Sequence, residues 1–211
     1  MMTLFLILWP LGTALLIFAF RPANAKLIAL AGSLIEFVVT LFMVFLFDRT
    51  GAETFSFISP WIPSLGININ VAIDGISLLL VILTTGLVPF IILSSCSSSR
   101  QRPAIFYALI LIMQMAVVGV FTGLDGFLFY VFWEMALIPI YFICLIWGGE
   151  NRASITLKFF IYTLTGSLFM LAALLYLYYQ TPGNHSFDIE AIYAAGRGLP
   201  SRRSSSARGM P

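Results

Sequence analysis

Residues 127–147 read FLFYVFWEMALIPIYFICLIW, an apolar run interrupted by one formal charge, Glu134. Asp125 precedes the run and Gly148-Gly149-Glu150 follows it. At about 1.5 Å per residue, a helix over this stretch spans roughly 30 Å, the thickness of a bilayer's hydrocarbon core. Glu134 then sits about 14 Å in, close to the midplane. Insertion scales charge roughly 2.5–3.5 kcal/mol for an acidic residue at that depth. Such a residue is a functional candidate, or else a carboxyl kept protonated and hydrogen-bonded to a neighbouring helix for packing alone.

The rest of the chain has the same character. Its 211 residues are 60% hydrophobic and 9% charged, and the mean hydropathy is +1.01. A soluble domain of this size needs no such composition for one core, so the sequence describes an integral membrane protein. Six apolar stretches have spanning length: Leu4 to Phe20, Leu27 to Phe47, Gly75 to Ser95, Ala104 to Leu124, Phe127 to Trp147 and Leu157 to Tyr179. Backbone groups in lipid must be satisfied within the protein, and these runs are too long and continuous for the alternating strands of a barrel. The expected fold is all-α, with about six transmembrane helices. A short β-hairpin can form in the loop between helices 2 and 3, where Ile67-Asn68-Ile69-Asn70-Val71 alternates apolar and polar after the segment Thr54 to Ile58. An ordered proline-rich loop is the other reading of that segment.

The basic residues fall unevenly: Arg21 and Lys26 in the first loop, Arg49 in the second, Arg100 and Arg102 in the third, none in the fourth, Arg152 and Lys158 at the fifth. The positive-inside tendency therefore places the odd loops inside and the N-terminus outside. Cys96 and Cys144 form no paired motif, and the single histidine, His185, stands in a loop. With no metal-ligating cluster and no glycine-rich nucleotide loop, cofactor chemistry is expected in other chains.

Several residues carry the candidate chemistry. Tyr130, Glu134, Leu137, Ile138 and Tyr141 share one face of helix 5. Pro139 cannot donate to the Met135 carbonyl, which leaves an acceptor free beside Glu134. Glu36 is the second midmembrane acid, with Ser33 and Thr40 on its face, and is either a relay member or a protonated carboxyl bonded to a neighbouring helix. Lys158 opens the sixth run on a face with Tyr162 and Thr165, and either snorkels to the interface or relays protons at the inner mouth. Asp74 is placed to cap helix 3, which Pro89 should kink. Beyond Gly196 an Arg/Ser-rich tail begins. It is a basic tail for anionic lipid or a partner, a disordered end, or coding sequence out of frame.

Residues 129–142, FYVFWEMALIPIYF, resemble the fifth helix of chain M of respiratory complex I, the NADH dehydrogenase subunit 4 family. Asp74-Gly75-Ile76-Ser77 and Lys158-Phe159-Phe160-Ile161-Tyr162-Thr163 are similar to the same family, over roughly residues 1–195. The resemblance implies an antiporter-like proton-translocating subunit of NADH:quinone oxidoreductase, a translocase with no redox site in this chain. The residue matching Glu134 would then act with a lysine on a seventh helix. NADH, FMN, iron–sulfur clusters and quinone would belong to partner chains, and the partners would be other membrane-arm subunits and the lipid bilayer, with no nucleic acid. The location would be a bacterial plasma membrane or, alternatively, the mitochondrial inner membrane. On this reading residues 1–103 hold helices 1–3, residues 104–180 begin the proton-channel repeat, and residues 181–211 form a tail. The copy reads as truncated before helix 7. The alternatives are a subunit of a multisubunit cation/proton antiporter and an inactive membrane fragment.

Overall fold

The computed structural model describes residues 1–47, 54–95, 101–181 and 185–198. Arg49, Cys96, Arg100 and the tail from residue 199 lie outside them.

Six long helices dominate: α1 (Met2–Phe20), α2 (Ala25–Leu46), α3 (Gly75–Ser94), α4 (Pro103–Thr122), α5 (Gly126–Trp147) and α6 (Arg152–Gln180). All six are long and apolar enough to cross a membrane. They match the six apolar runs to within a few residues at each end. A short α7 (Ile189–Gly198), which the apolar pattern does not announce, follows.

The centre of the bundle is α4, which packs against α1, α2, α3 and α5. Its sequence explains this, because small residues let neighbours approach and no side of it is charged. Ala104, Ala108, Leu111, Met115, Ala116 and Val118 are all buried. Gly119 marks the tightest approach, where an added Cβ would stand 2.5 Å from the Phe132 ring of α5. On the other side, Gly32 of α2 lies against Thr13 of α1, and Trp9 donates its indole N–H to the Gly32 carbonyl at 2.9 Å. By contrast α5 and α6 bury few side chains and expose Trp133, Ile138, Phe142, Ile155 and Phe169. Faces this apolar are tolerated when the surroundings are lipid.

The loop between α2 and α3 is a hairpin of β1 (Thr54–Ile62) and β2 (Ile67–Ile73), joined by a single helical turn, Pro63–Leu65. The pairing is antiparallel, with Phe57 opposite Val71 and Ser59 opposite Ile69. β1 runs past Ile58, where the sequence pattern stops. Pro60 pairs with Asn68, and a two-stranded ribbon, in which both strands are edges, accommodates a proline. Gly66 closes the turn in the left-handed region, φ 63°, which an L side chain rarely adopts. Ile67, Val71 and Ile73 are buried and seat the ribbon on the helix ends.

Two aspartates organise this end of the bundle. Asp74 accepts from the Ser77 amide at 2.6 Å, while the Ser77 hydroxyl accepts from the Asp74 amide at 2.8 Å, a reciprocal cap on α3. Asp125 is 1% exposed. One of its oxygens accepts from the Phe127 and Leu128 amides at 2.9 and 3.1 Å and the other from the Asn68 amide at 3.1 Å. It therefore caps α5 and ties that helix to β2. The segment after α6 joins the same junction, where Gly126 donates to the Phe187 carbonyl at 2.7 Å and Ile189 to Leu124 at 3.0 Å.

The two carboxyls titrate in opposite senses. Backbone and side-chain hydrogen bonds from Ser77 hold Asp74 below the usual range. Its contribution is present above the unfolded pKa and fades as pH falls through the folded one. Burial pushes Asp125 up, against the pull of the Asn68, Leu128 and Phe127 amides, with Asp188 adding to the rise. Its contribution is fullest in acid and fades as pH rises through the folded pKa. Asp74→Ala is expected to cost about 1 kcal/mol, and Asp125→Ala, which also frees the Asn68 amide, about 2 kcal/mol. Unfolding in detergent across a pH series measures both. The Asp74 deficit should shrink in acid and the Asp125 deficit in base.

Candidate functional site

The Asp125 cap fixes where α5 begins and therefore which residues face α6. Four residues in from Tyr130, Glu134 is half-buried. Its Oε1 is sealed from solvent and has no hydrogen-bond partner. Tyr130 lies within interaction range of both Glu134 and Ser167, a residue of α6. Further along, the Tyr141 ring meets Phe160 of α6 at 5.1 Å between centroids. Pro139 is buried in α5, so the Met135 carbonyl lacks its usual intrahelical donor one residue from the acid. An unsatisfied carboxylate oxygen and a phenol thus meet on one side of α5, with the Ser167 hydroxyl of α6, which donates to the Leu164 carbonyl at 2.9 Å, within range of the phenol. Groups of this kind can take up a proton or a water and pass it on.

Lys158 is not brought to this cluster. It is exposed, on a face of α6 where Tyr162 is 77% exposed. It lies about 14 Å along the helix from Ser167, so α6 contributes Ser167 and Phe160 to the α5 face and turns the lysine elsewhere.

Glu36 is fully buried and also stands apart from Glu134. Its partner is Gln114 of α4, whose Nε2 donates to Glu36 Oε2 at 2.9 Å. The Ser33 and Thr40 hydroxyls do not serve the carboxyl. They donate to the Leu30 and Glu36 carbonyls at 3.0 and 2.9 Å. The sequence reading did not single out Gln114, although it is the lone carboxamide of its apolar run. His185 stands with its Nδ1 3.0 Å from the Thr181 carbonyl and its ring 5.3 Å from that of Tyr178. Pro89 lies buried within α3. Among the described residues, no three His, Cys, Asp or Glu side chains converge.

Residues 124–205 match a family model described as "NADH:quinone oxidoreductase/Mrp antiporter, TM". The chain is 44% identical over 167 residues to the F(420)H(2) dehydrogenase subunit M of Methanosarcina mazei, a match that covers 77% of this chain and 34% of that one. It is 42% identical over 182 residues to the NADH-ubiquinone oxidoreductase chain 4 of Arabidopsis thaliana, covering 83% of this chain and 37% of the relative. Among solved structures, a chain of respiratory complex I from Thermus thermophilus with bound NADH superposes with a TM-score of 0.81 at 28% identity. That superposition covers 92% of this chain and 39% of the other. The chain spans about a third of the length of the curated relatives it matches.

Proposed function

We propose that this chain, which is homologous to a third of the subunit M (chain 4) proteins of NADH–quinone oxidoreductases, supplies the relay carboxyl of an antiporter-like, proton-translocating membrane subunit. The observation that carries the proposal is Glu134, at midspan, with one oxygen sealed from solvent and unbonded beside Tyr130 and, through it, Ser167. A carboxyl at this depth can carry a proton and hand it on in response to a nearby cation. The resemblance implies that the cation is a lysine on a seventh spanning helix. Its approach and withdrawal, driven by electron transfer elsewhere, would make Glu134 release and reload a proton. Tyr130, within range of both Glu134 and Ser167, is placed to hand that proton along the α5–α6 side. Lys158, exposed at the inner end of α6, snorkels its ammonium to the interface and stands outside the cluster.

The proposed setting follows from the same relatives. Other membrane-arm subunits flank this one, and NADH, FMN, iron–sulfur clusters and quinone are held by partner chains. The loops bearing Arg21, Arg102 and Arg152 face the cytoplasm of a bacterium or the matrix of a mitochondrion, with the hairpin on the opposite side. The complex I reading is favoured over a multisubunit cation/proton antiporter because relatives at above 40% identity are named as subunits of an F(420)H(2) dehydrogenase and of an NADH-ubiquinone oxidoreductase. The test is a chimera in which residues 1–195 replace the matching segment of an intact bacterial subunit M. On this proposal the chimera assembles and acidifies the lumen of inverted membrane vesicles in step with NADH oxidation. A chimera that assembles and oxidises NADH without moving protons would refute it.

A further inference from the structure

Glu36 and Gln114 leave two oxygens unexplained. Both residues are essentially inaccessible, at 0% and 1% exposure, and the one hydrogen bond between them uses Gln114 Nε2 and Glu36 Oε2. Glu36 Oε1 and Gln114 Oε1 are both buried without a partner. Each is an acceptor, so the pair lacks a donor. One proton supplies it.

We propose that Glu36 and Gln114 form a proton-binding site between α2 and α4, a closed acid–amide pair in which Glu36 Oε1–H donates to Gln114 Oε1 while Gln114 Nε2–H donates to Glu36 Oε2. A carboxylic acid and a primary amide present complementary edges, one donor and one acceptor each, so a single proton satisfies both stranded oxygens. The ionised alternative has the Gln114 amide and, among the elements packed around it, no cation to stabilise it. The helices packed against α2 are α1, α3 and α4. Within their bounds α1 and α3 contain no ionisable side chain, and α4 contains only Tyr107, a phenol about 10 Å along the helix from Gln114. On α2 itself the only other ionisable group is Lys26, about 15 Å from Glu36. The nearby hydroxyls of Ser33 and Thr40 are committed to backbone carbonyls. A buried carboxylate without a cation is the costly state, and the neutral acid is the one that pairs.

The site is distinct from the Glu134 cluster and does not depend on its role. It joins α2 to the central helix α4 and keeps its proton while Glu134 exchanges one. Two carboxyls of similar depth thus have opposite tasks, set by whether a complementary amide faces them.

The experiment uses the 211-residue chain in lipid nanodiscs. Infrared spectra of the parent and of Glu36→Gln are subtracted. The expected difference is a protonated-carboxyl carbonyl band that belongs to Glu36 and persists from about pH 6 to about pH 9, a range in which an ordinary carboxyl is ionised. In Gln114→Leu the band should move toward that of an unpaired acid. Carboxylate bands in place of the acid band would overturn the proposal, because they would mean an ionised Glu36 bridged by water or a cation. A second reading uses stability. Glutamine at position 36 forms the same ring with Gln114, so Glu36→Gln should keep the parent unfolding midpoint and Glu36→Ala should lose it. A Glu36→Gln chain that misfolds or melts as early as Glu36→Ala would also overturn the ring.

Discussion

Replacing Glu134 with glutamine in the chimera is expected to lower proton translocation by about a hundredfold or more. Glutamine matches glutamate in shape and keeps a carbonyl for the Tyr130 side of the cluster, but it cannot bind and release a proton. Packing is therefore preserved while the titratable group is removed. Glu134→Asp keeps the titration and withdraws the carboxyl by one methylene, away from Tyr130, so its activity should fall between those of the parent and the glutamine variant. Dye-monitored acidification, normalised to NADH oxidised and to assembled complex, measures both. Only a protonatable group at this depth explains a Gln variant that folds and fails.

The second large effect is structural. Gly119 brings α4 so close to α5 that a Cβ would lie 2.5 Å from Cγ and Cδ1 of Phe132. These atoms sit near the root of the ring, so a rotamer change of the tip does not relieve the clash. Gly119→Leu should therefore force the helices apart at a cost of about 1–3 kcal/mol, seen as a lower unfolding midpoint in detergent. Phe132 stands two residues from Glu134 on α5, and the same displacement should disturb the relay. Removing the ring as well, Phe132→Ala with Gly119→Leu, should recover much of the loss, because the two side chains compete for one space. A Gly119→Leu chain as stable as its parent would show that the approach is looser than described.

How far the sequence foretold this arrangement depended on the range of the forces involved. The six spans were legible because a helix in lipid must be apolar along its whole length, and each run carries that signal locally. The alternation of Ile67 to Val71 likewise announced β2. The extension of β1 through Pro60 was not announced, since it depends on the partner strand. α7 was hidden because ten mixed residues after a loop carry too weak a periodicity. Asp125 stands in the sequence only as the charge before an apolar run, and it is buried because the hairpin and the segment after α6 close over it. For the site, the depth and isolation of Glu134 were visible in one helix, but its neighbour Ser167 required α6 to be oriented. That same orientation turns Lys158 outward, which spacing on α6 alone could not tell. Gln114 was passed over because it bears no charge, although an amide lone in an apolar span signals a buried partner.

Glu134, and not Glu36, is the carboxyl proposed to exchange protons across the membrane. The most direct test is the number of protons moved per NADH oxidised by two chimeras that differ only in which acid has become glutamine. The Glu36→Gln chimera should match its parent and the Glu134→Gln chimera should move almost none. Equal translocation by the two, or loss in Glu36→Gln with retention in Glu134→Gln, would contradict it.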